Sequence, residues 1–125
     1  MNNKTKITAT LVILLVVGSL AVMWAGSRGP KSEFDTLALA QCLAEKKVTM
    51  YGAEWCSHCK TQKAMFGADF KAVPYVECPD NIQQCISKGV ESYPTWIFSD
   101  GETAVGVQTL EFLAQKAGCP LLKAE

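Results

Sequence analysis

Cys56 and Cys59 are the residues of this chain best suited to chemistry. They lie in Ala53-Glu54-Trp55-Cys56-Ser57-His58-Cys59-Lys60. The apolar run Val48-Thr49-Met50-Tyr51-Gly52-Ala53 precedes them, and a helix-compatible stretch continues from Lys60 to Phe70. A Cys-x-x-Cys pair at a strand–turn–helix junction reads as a redox couple. The first cysteine falls at the helix N-terminus, where unpaired backbone N–H groups and the positive end of the helix dipole favour a thiolate. The second lies one turn further in, close enough to close a disulfide. Cys56 is therefore the candidate nucleophile, and Cys59 the thiol that resolves the mixed disulfide.

Metal binding is the competing use of this spacing. A structural zinc takes four ligands, usually with a second close Cys/His pair. The other cysteines are Cys42, Cys78, Cys85 and Cys119, and none pair at that spacing; the only histidine, His58, lies inside the motif. No metal is assigned. No cofactor is needed, since the sulfurs carry the electrons. Six cysteines in 125 residues point to an oxidising compartment.

The elements that must position the pair follow from patterning. Residues 1–6 form a short basic N-terminus with Lys4 and Lys6. Residues 7–25 carry no charge and end near Trp24. At ~1.5 Å per residue this run is about long enough to cross a ~30 Å hydrocarbon core. It reads as an uncleaved signal anchor with the rest of the chain exported. A cleaved signal peptide ending near Ala25-Gly26-Ser27 is the alternative, although the apolar run exceeds the ~7–15 residues usual for one. Residues 26–33 form a linker, and 34–125 one small domain. Lysine plus arginine equals aspartate plus glutamate, 12 each, and no basic run follows the anchor, so nothing points to nucleic acid.

Within the domain, apolar spacing predicts a helix over 34–47, capped by Ser32 or Asp35. A strand over 48–53 and the helix from Ser57 to about Phe70 follow. Next come a strand over 73–78, a short helix over 82–88, and a strand from Thr95 to Ser99. The Asp100-Gly101 turn leads to a partner strand over 102–107. A last helix runs from Thr109 to Ala117, with Thr109 as N-cap and Gly118 as its stop. The order α-β-α-β-α-β-β-α suits an α/β fold with a mixed four-stranded sheet. Cys78 and Cys85 bracket the Pro79-Asp80-Asn81 turn and are candidates for a structural disulfide or a second redox pair.

That order, with Cys-x-x-Cys after the first core strand and Pro94 before the third, resembles the thioredoxin fold, and Ala53-Glu54-Trp55-Cys56 matches the thioredoxin signature. A narrower likeness lies in Met50-Tyr51-Gly52-Ala53, Trp55-Cys56-Ser57-His58-Cys59, Val73-Pro74-Tyr75-Val76-Glu77-Cys78, Tyr93-Pro94-Thr95-Trp96 and Gly106-Val107-Gln108. Together these are similar to the thioredoxin-like domain attached to bacterial and plant vitamin K epoxide reductase homologues. The resemblance implies disulfide exchange with cysteine-containing client proteins. It also implies a quinone-linked membrane partner of the vitamin K epoxide reductase type, here a separate protein. The domain would face the periplasm from a bacterial inner membrane; a thylakoid lumen or a cleaved soluble form are the alternatives.

The resemblance also gives roles to neighbours of the pair. Pro94 is expected in a cis peptide facing Cys56 and Cys59, leaving Tyr93 and Thr95 to meet an extended substrate. Trp55 would shape the substrate surface. His58, beside Cys56, would stabilise its thiolate and make the disulfide a stronger oxidant. Such proteins span about −270 to about −120 mV, roughly 7 kcal/mol. Where thioredoxins carry a buried acid six residues before the first cysteine, this chain has Met50, so protons must move through water, His58 or Glu54. In this fold the first and last helices usually cover opposite sheet faces, so Cys42 and Cys119 either pair or leave a cysteine free or intermolecular. The rival readings are a reductase fed by a membrane electron donor, a copper-handling module and a structural adaptor.

Overall fold

A computed structural model of the chain describes residues 2, 6–7, 11–14 and 33–125. Two units separate, Met1–Lys31 and Ser32–Glu125. In the first, residues 6–7 and 11–14 are helical. Among the described residues no helix is long and apolar enough to cross a membrane. The anchor expected over 7–25 and the linker expected over 26–33 lie mostly outside the described residues.

The second unit opens with α1, Thr36–Glu45. Asp35 caps it, its side chain accepting from the Ala38 N–H at 2.9 Å. Strand β1, Thr49–Gly52, is followed by α2, Ser57–Phe66. This helix stops four residues short of the expected Phe70 because Gly67 takes φ +58 and turns the chain into a 3₁₀ segment, Gly67–Ala72. Strand β2, Tyr75–Glu77, begins after Pro74, which has no N–H for a ladder. A 3₁₀ turn, Cys78–Asp80, leads into α3, Ile82–Ser87. Strands β3, Thr95–Ile97, and β4, Thr103–Val105, form the expected hairpin, whose turn has Gly101 at φ +85. Beyond β4, Gly106 at φ +89 swings the chain away. Helix α4, Leu110–Ala117, has Thr109 as N-cap and the left-handed Gly118 as C-cap, as its sequence requires.

The sheet order is β2-β1-β3-β4, with β1 parallel to β2 and antiparallel to β3, and β3 antiparallel to β4. This is the expected thioredoxin-like arrangement, a mixed four-stranded sheet with helices on it. Strand alternation divides the core in two. Met50, Trp96 and Phe98 face one way, into a cluster with Leu39, Ala40, Leu43, Cys59, Phe66, Leu110 and Leu113. Tyr51 faces the other way, with Cys78, Cys85 and the half-buried Ile97.

The first and last helices thus share a core cluster, contrary to the expectation of opposite faces, and this lets Cys42 meet Cys119. Those two cysteines form a disulfide with Cα atoms 5.9 Å apart and 77 positions apart in sequence. A loop of that length gives roughly 4 kcal/mol by the chain-entropy argument. Cys78 and Cys85 form the second disulfide, Cα–Cα 5.8 Å. The C-terminal tail returns beside the start of α1. Asp35 N–H donates to Leu122 O at 2.9 Å, and Ala124 N–H to Glu33 O at 3.0 Å.

Candidate functional site

Four of the six cysteines are closed in disulfides, and Cys56 and Cys59 remain as free thiols. Both sit at the N-terminus of α2. Cys56 is its N-cap, and its Sγ accepts from the Cys59 backbone N–H at 3.2 Å. An extended backbone at Cys56 (φ −73, ψ 119) ends β1's turn and hands the chain to the helix. Cys56 is 7% exposed, whereas Cys59 is fully buried. Burial pushes the Cys59 thiol up to about 11, helped by its hydrogen bond with Cys56. Cys56 therefore keeps a small exposure beside a helix-end N–H, and Cys59 holds its proton inside. That is the asymmetry disulfide exchange needs, with an accessible attacker and a protected resolver.

The Tyr93–Pro94 peptide is cis, and Pro94 is buried. The Cys56 Sγ–H donates to Tyr93 O at 3.7 Å, so this loop lies directly against the nucleophile. Trp55 is 70% exposed, its ring edge-on to Tyr93 with centroids 6.0 Å apart. Trp55, Cys56 and Tyr93 adjoin one another, with Pro94 buried behind them. His58 is exposed on the first turn of α2. Thr95 is buried, and its hydroxyl donates to Ser92 O at 2.7 Å, bracing the loop from within. Cys78 and Cys85 lie under Tyr93 in the second cluster, and Cys42 and Cys119 belong to the helical layer. Among the described residues, no three His, Cys, Asp or Glu side chains gather to hold a metal ion.

The structure adds residues that sequence patterning passed over. Gln62 is fully buried on α2. Its Oε1 accepts from Gln108 N–H at 2.7 Å and Trp96 Nε1–H at 3.3 Å, and its Nε2 donates to Gln108 O at 3.0 Å. One side chain thereby ties the active-site helix to β3 and the loop after β4. Its position three after Cys59 and four before Phe66, on their buried face, was the available signal. Tyr75 and Glu77 are the second addition. Tyr75 Oη donates to Glu77 Oε2 at 2.5 Å, and Glu77 Oε1 accepts from Glu54 N–H at 2.8 Å, at the threshold of the motif. Lys63 Nζ stands 4.0 Å over the Tyr75 ring and 3.7 Å from Glu54. The alternation Tyr-x-Glu, which puts both side chains on one strand face, was legible.

No family model matches the chain. The chain is 39% identical over 97 residues to the thiol-disulfide oxidoreductase LTO1 of Arabidopsis thaliana. That alignment takes in 70% of this chain and 26% of the relative, so the chain spans about a quarter of the length of the curated relative it matches. Among solved structures, a thioredoxin from Nicotiana alata aligns with a TM-score of 0.45 and 19% identity, over 73% of this chain and 95% of its own.

Proposed function

We propose that the chain is an extracytoplasmic thiol–disulfide oxidoreductase that exchanges disulfides with cysteine-containing client proteins through Cys56 and Cys59. The observation that carries this reading is the paired but unequal setting of two free thiols at one helix end, against the Tyr93–Pro94 loop. The 39% identity to a thiol-disulfide oxidoreductase supports it. Two disulfides in so small a domain support an oxidising compartment.

The reaction runs on sulfur alone. The Cys56 thiolate attacks a client disulfide, or a client thiolate attacks the Cys56–Cys59 disulfide; each path passes through a mixed disulfide on Cys56. Trp55 and Tyr93 supply the apolar surface beside that sulfur. The working direction is oxidation of clients, on the strength of His58 within the motif. The uncharged run over 7–25 anchors the domain in a bacterial inner membrane, where a quinone-linked enzyme of the vitamin K epoxide reductase type reoxidises it. The resemblance in the motif segments supports that partner.

The reduction potential of the Cys56–Cys59 couple, read by equilibration with glutathione buffers, tests this function. A value toward −120 mV fits an oxidase, and one near −270 mV makes the chain a reductase. If no two-electron couple belongs to these cysteines, the redox reading fails.

A further inference from the structure

Closing the Cys56–Cys59 disulfide requires the proton of Cys59 to go somewhere, and this thiol is fully buried. Few titratable groups face it. Lys63 on the same helix is a cation, Glu54 in the preceding loop has a side chain 85% exposed, and His58 is on the exposed side. Cys56 is the sulfur that Cys59 bonds and so cannot keep the proton. From β2 come Tyr75 and Glu77, and the buried side chains of the helical layer and β3 are apolar or uncharged, Gln62, Thr36 and Thr95 among them. A Cβ placed on Gly52 would lie 2.8 Å from Cys59 Sγ and 3.4 Å from Tyr75 Oη, so the sulfur and the phenol converge on the bare face of this glycine. Behind the phenol, Glu77 accepts its hydrogen bond.

Resting on the disulfide-exchange reading above, we propose that Tyr75 and Glu77 are the proton relay of the resolving thiol. As Cys59 attacks, the Tyr75 oxygen takes its proton and passes its own to Glu77 Oε2. The Cys59 Sγ–Cys56 Sγ bond forms and the bond from Cys56 Sγ to the client sulfur breaks. The electron pair of the broken bond leaves with the client as thiolate, and the proton rests on Glu77. In the opposite direction Cys59 leaves as the anion and recovers the proton by the same route. Burial and the bond to Glu77 hold the Tyr75 hydroxyl well above its usual range, so it hands a proton on and does not rest as phenolate. Lys63, over the ring and beside Glu54, keeps the acidic cluster from accumulating charge.

The test is single-turnover oxidation of the full reduced-pair chain by glutathione disulfide. Acid quenching and mass spectrometry separate mixed-disulfide formation on Cys56 from its resolution by Cys59. Tyr75→Phe removes the relay atom; Glu77→Gln keeps a hydrogen-bonding side chain that cannot take the proton. Resolution in each is expected to slow about 100-fold at neutral pH. The mixed disulfide then accumulates, and the deficit shrinks as pH approaches the Cys59 value. Resolution at the wild-type rate in both variants overturns the relay, as does a slowing of equal size at every pH, which a merely structural role would give. A wild-type chain that never forms a Cys56–Cys59 disulfide overturns the exchange reading itself. Wild-type closure with unaffected variants overturns the relay alone.

Discussion

Gly52 and Cys59 occupy adjoining space with no room for a methyl group between them: a Cβ at 52 would stand 2.8 Å from the Cys59 Sγ. The last residue of β1 thus sets how deeply the resolving sulfur can sit. Gly52→Ala is expected to destabilise the domain by about 1–3 kcal/mol through overpacking. It should also slow disulfide closure, because either the sulfur or the Tyr75 ring must shift. Urea unfolding and the closure rate check the two effects together; a variant as stable and as fast as the parent would show that the neighbours yield freely.

The unequal exposure of the two thiols predicts unequal trapping. Cys59→Ala should accumulate covalent adducts with a disulfide-bearing client, since nothing resolves them, whereas Cys56→Ala should form none. Non-reducing electrophoresis with mass spectrometry of the adduct site reads this directly. Adducts on Cys59 in the Cys56→Ala chain would reverse the assignment of roles.

Cys59 also makes stability depend on pH in the alkaline range. Its thiol is raised from 9.0 to about 11 in the folded state, mainly by burial. The folded chain then keeps a proton that the unfolded chain loses. The stability this lends is fully present below pH 9 and is lost as pH rises towards about 11. With the pair reduced, the denaturation midpoint should fall across that window, and Cys59→Ala should flatten the fall. An unchanged slope in the variant would remove Cys59 as the source.

Gln62 is expected to be a costly position. Gln62→Leu leaves the Trp96 Nε1–H and both backbone groups of Gln108 without their partner inside the fold. A loss of about 2–4 kcal/mol follows from unsatisfied buried groups at about 1–3 kcal/mol each, softened where Gln108 can reach solvent. Urea unfolding measures it, and Gln62→Glu at low pH should recover part of the loss by retaining a donor and an acceptor.

What could be read from the sequence was local. The Cys-x-x-Cys junction, the Asp35 and Thr109 caps, the Gly118 stop and the Asp100-Gly101 turn each depend on residues within a few positions of one another, and each is where the patterning put it. The Gly67 stop was equally local and was passed over because Gly67 lies within an otherwise helical pattern. What escaped depends on register. Tyr75 and Glu77 reach the motif only because β2 pairs in parallel with β1, setting Met50 beside Tyr75 and Gly52 beside Glu77. The Cys42–Cys119 bridge stayed one of two open alternatives in the sequence because it depends on which sheet face the first helix takes, a choice no short segment encodes.

That bridge also decides how the domain bears load. A pull applied between the two ends of the chain enters at Cys42 and leaves at Cys119, crossing one covalent sulfur–sulfur bond. Residues 43–118 hang on that link as a closed ring outside the line of tension. The exchange site and the loop against it lie wholly inside the ring, so stretching the molecule by its ends puts no covalent tension on the segment that carries the working sulfurs until the bridge itself is reduced.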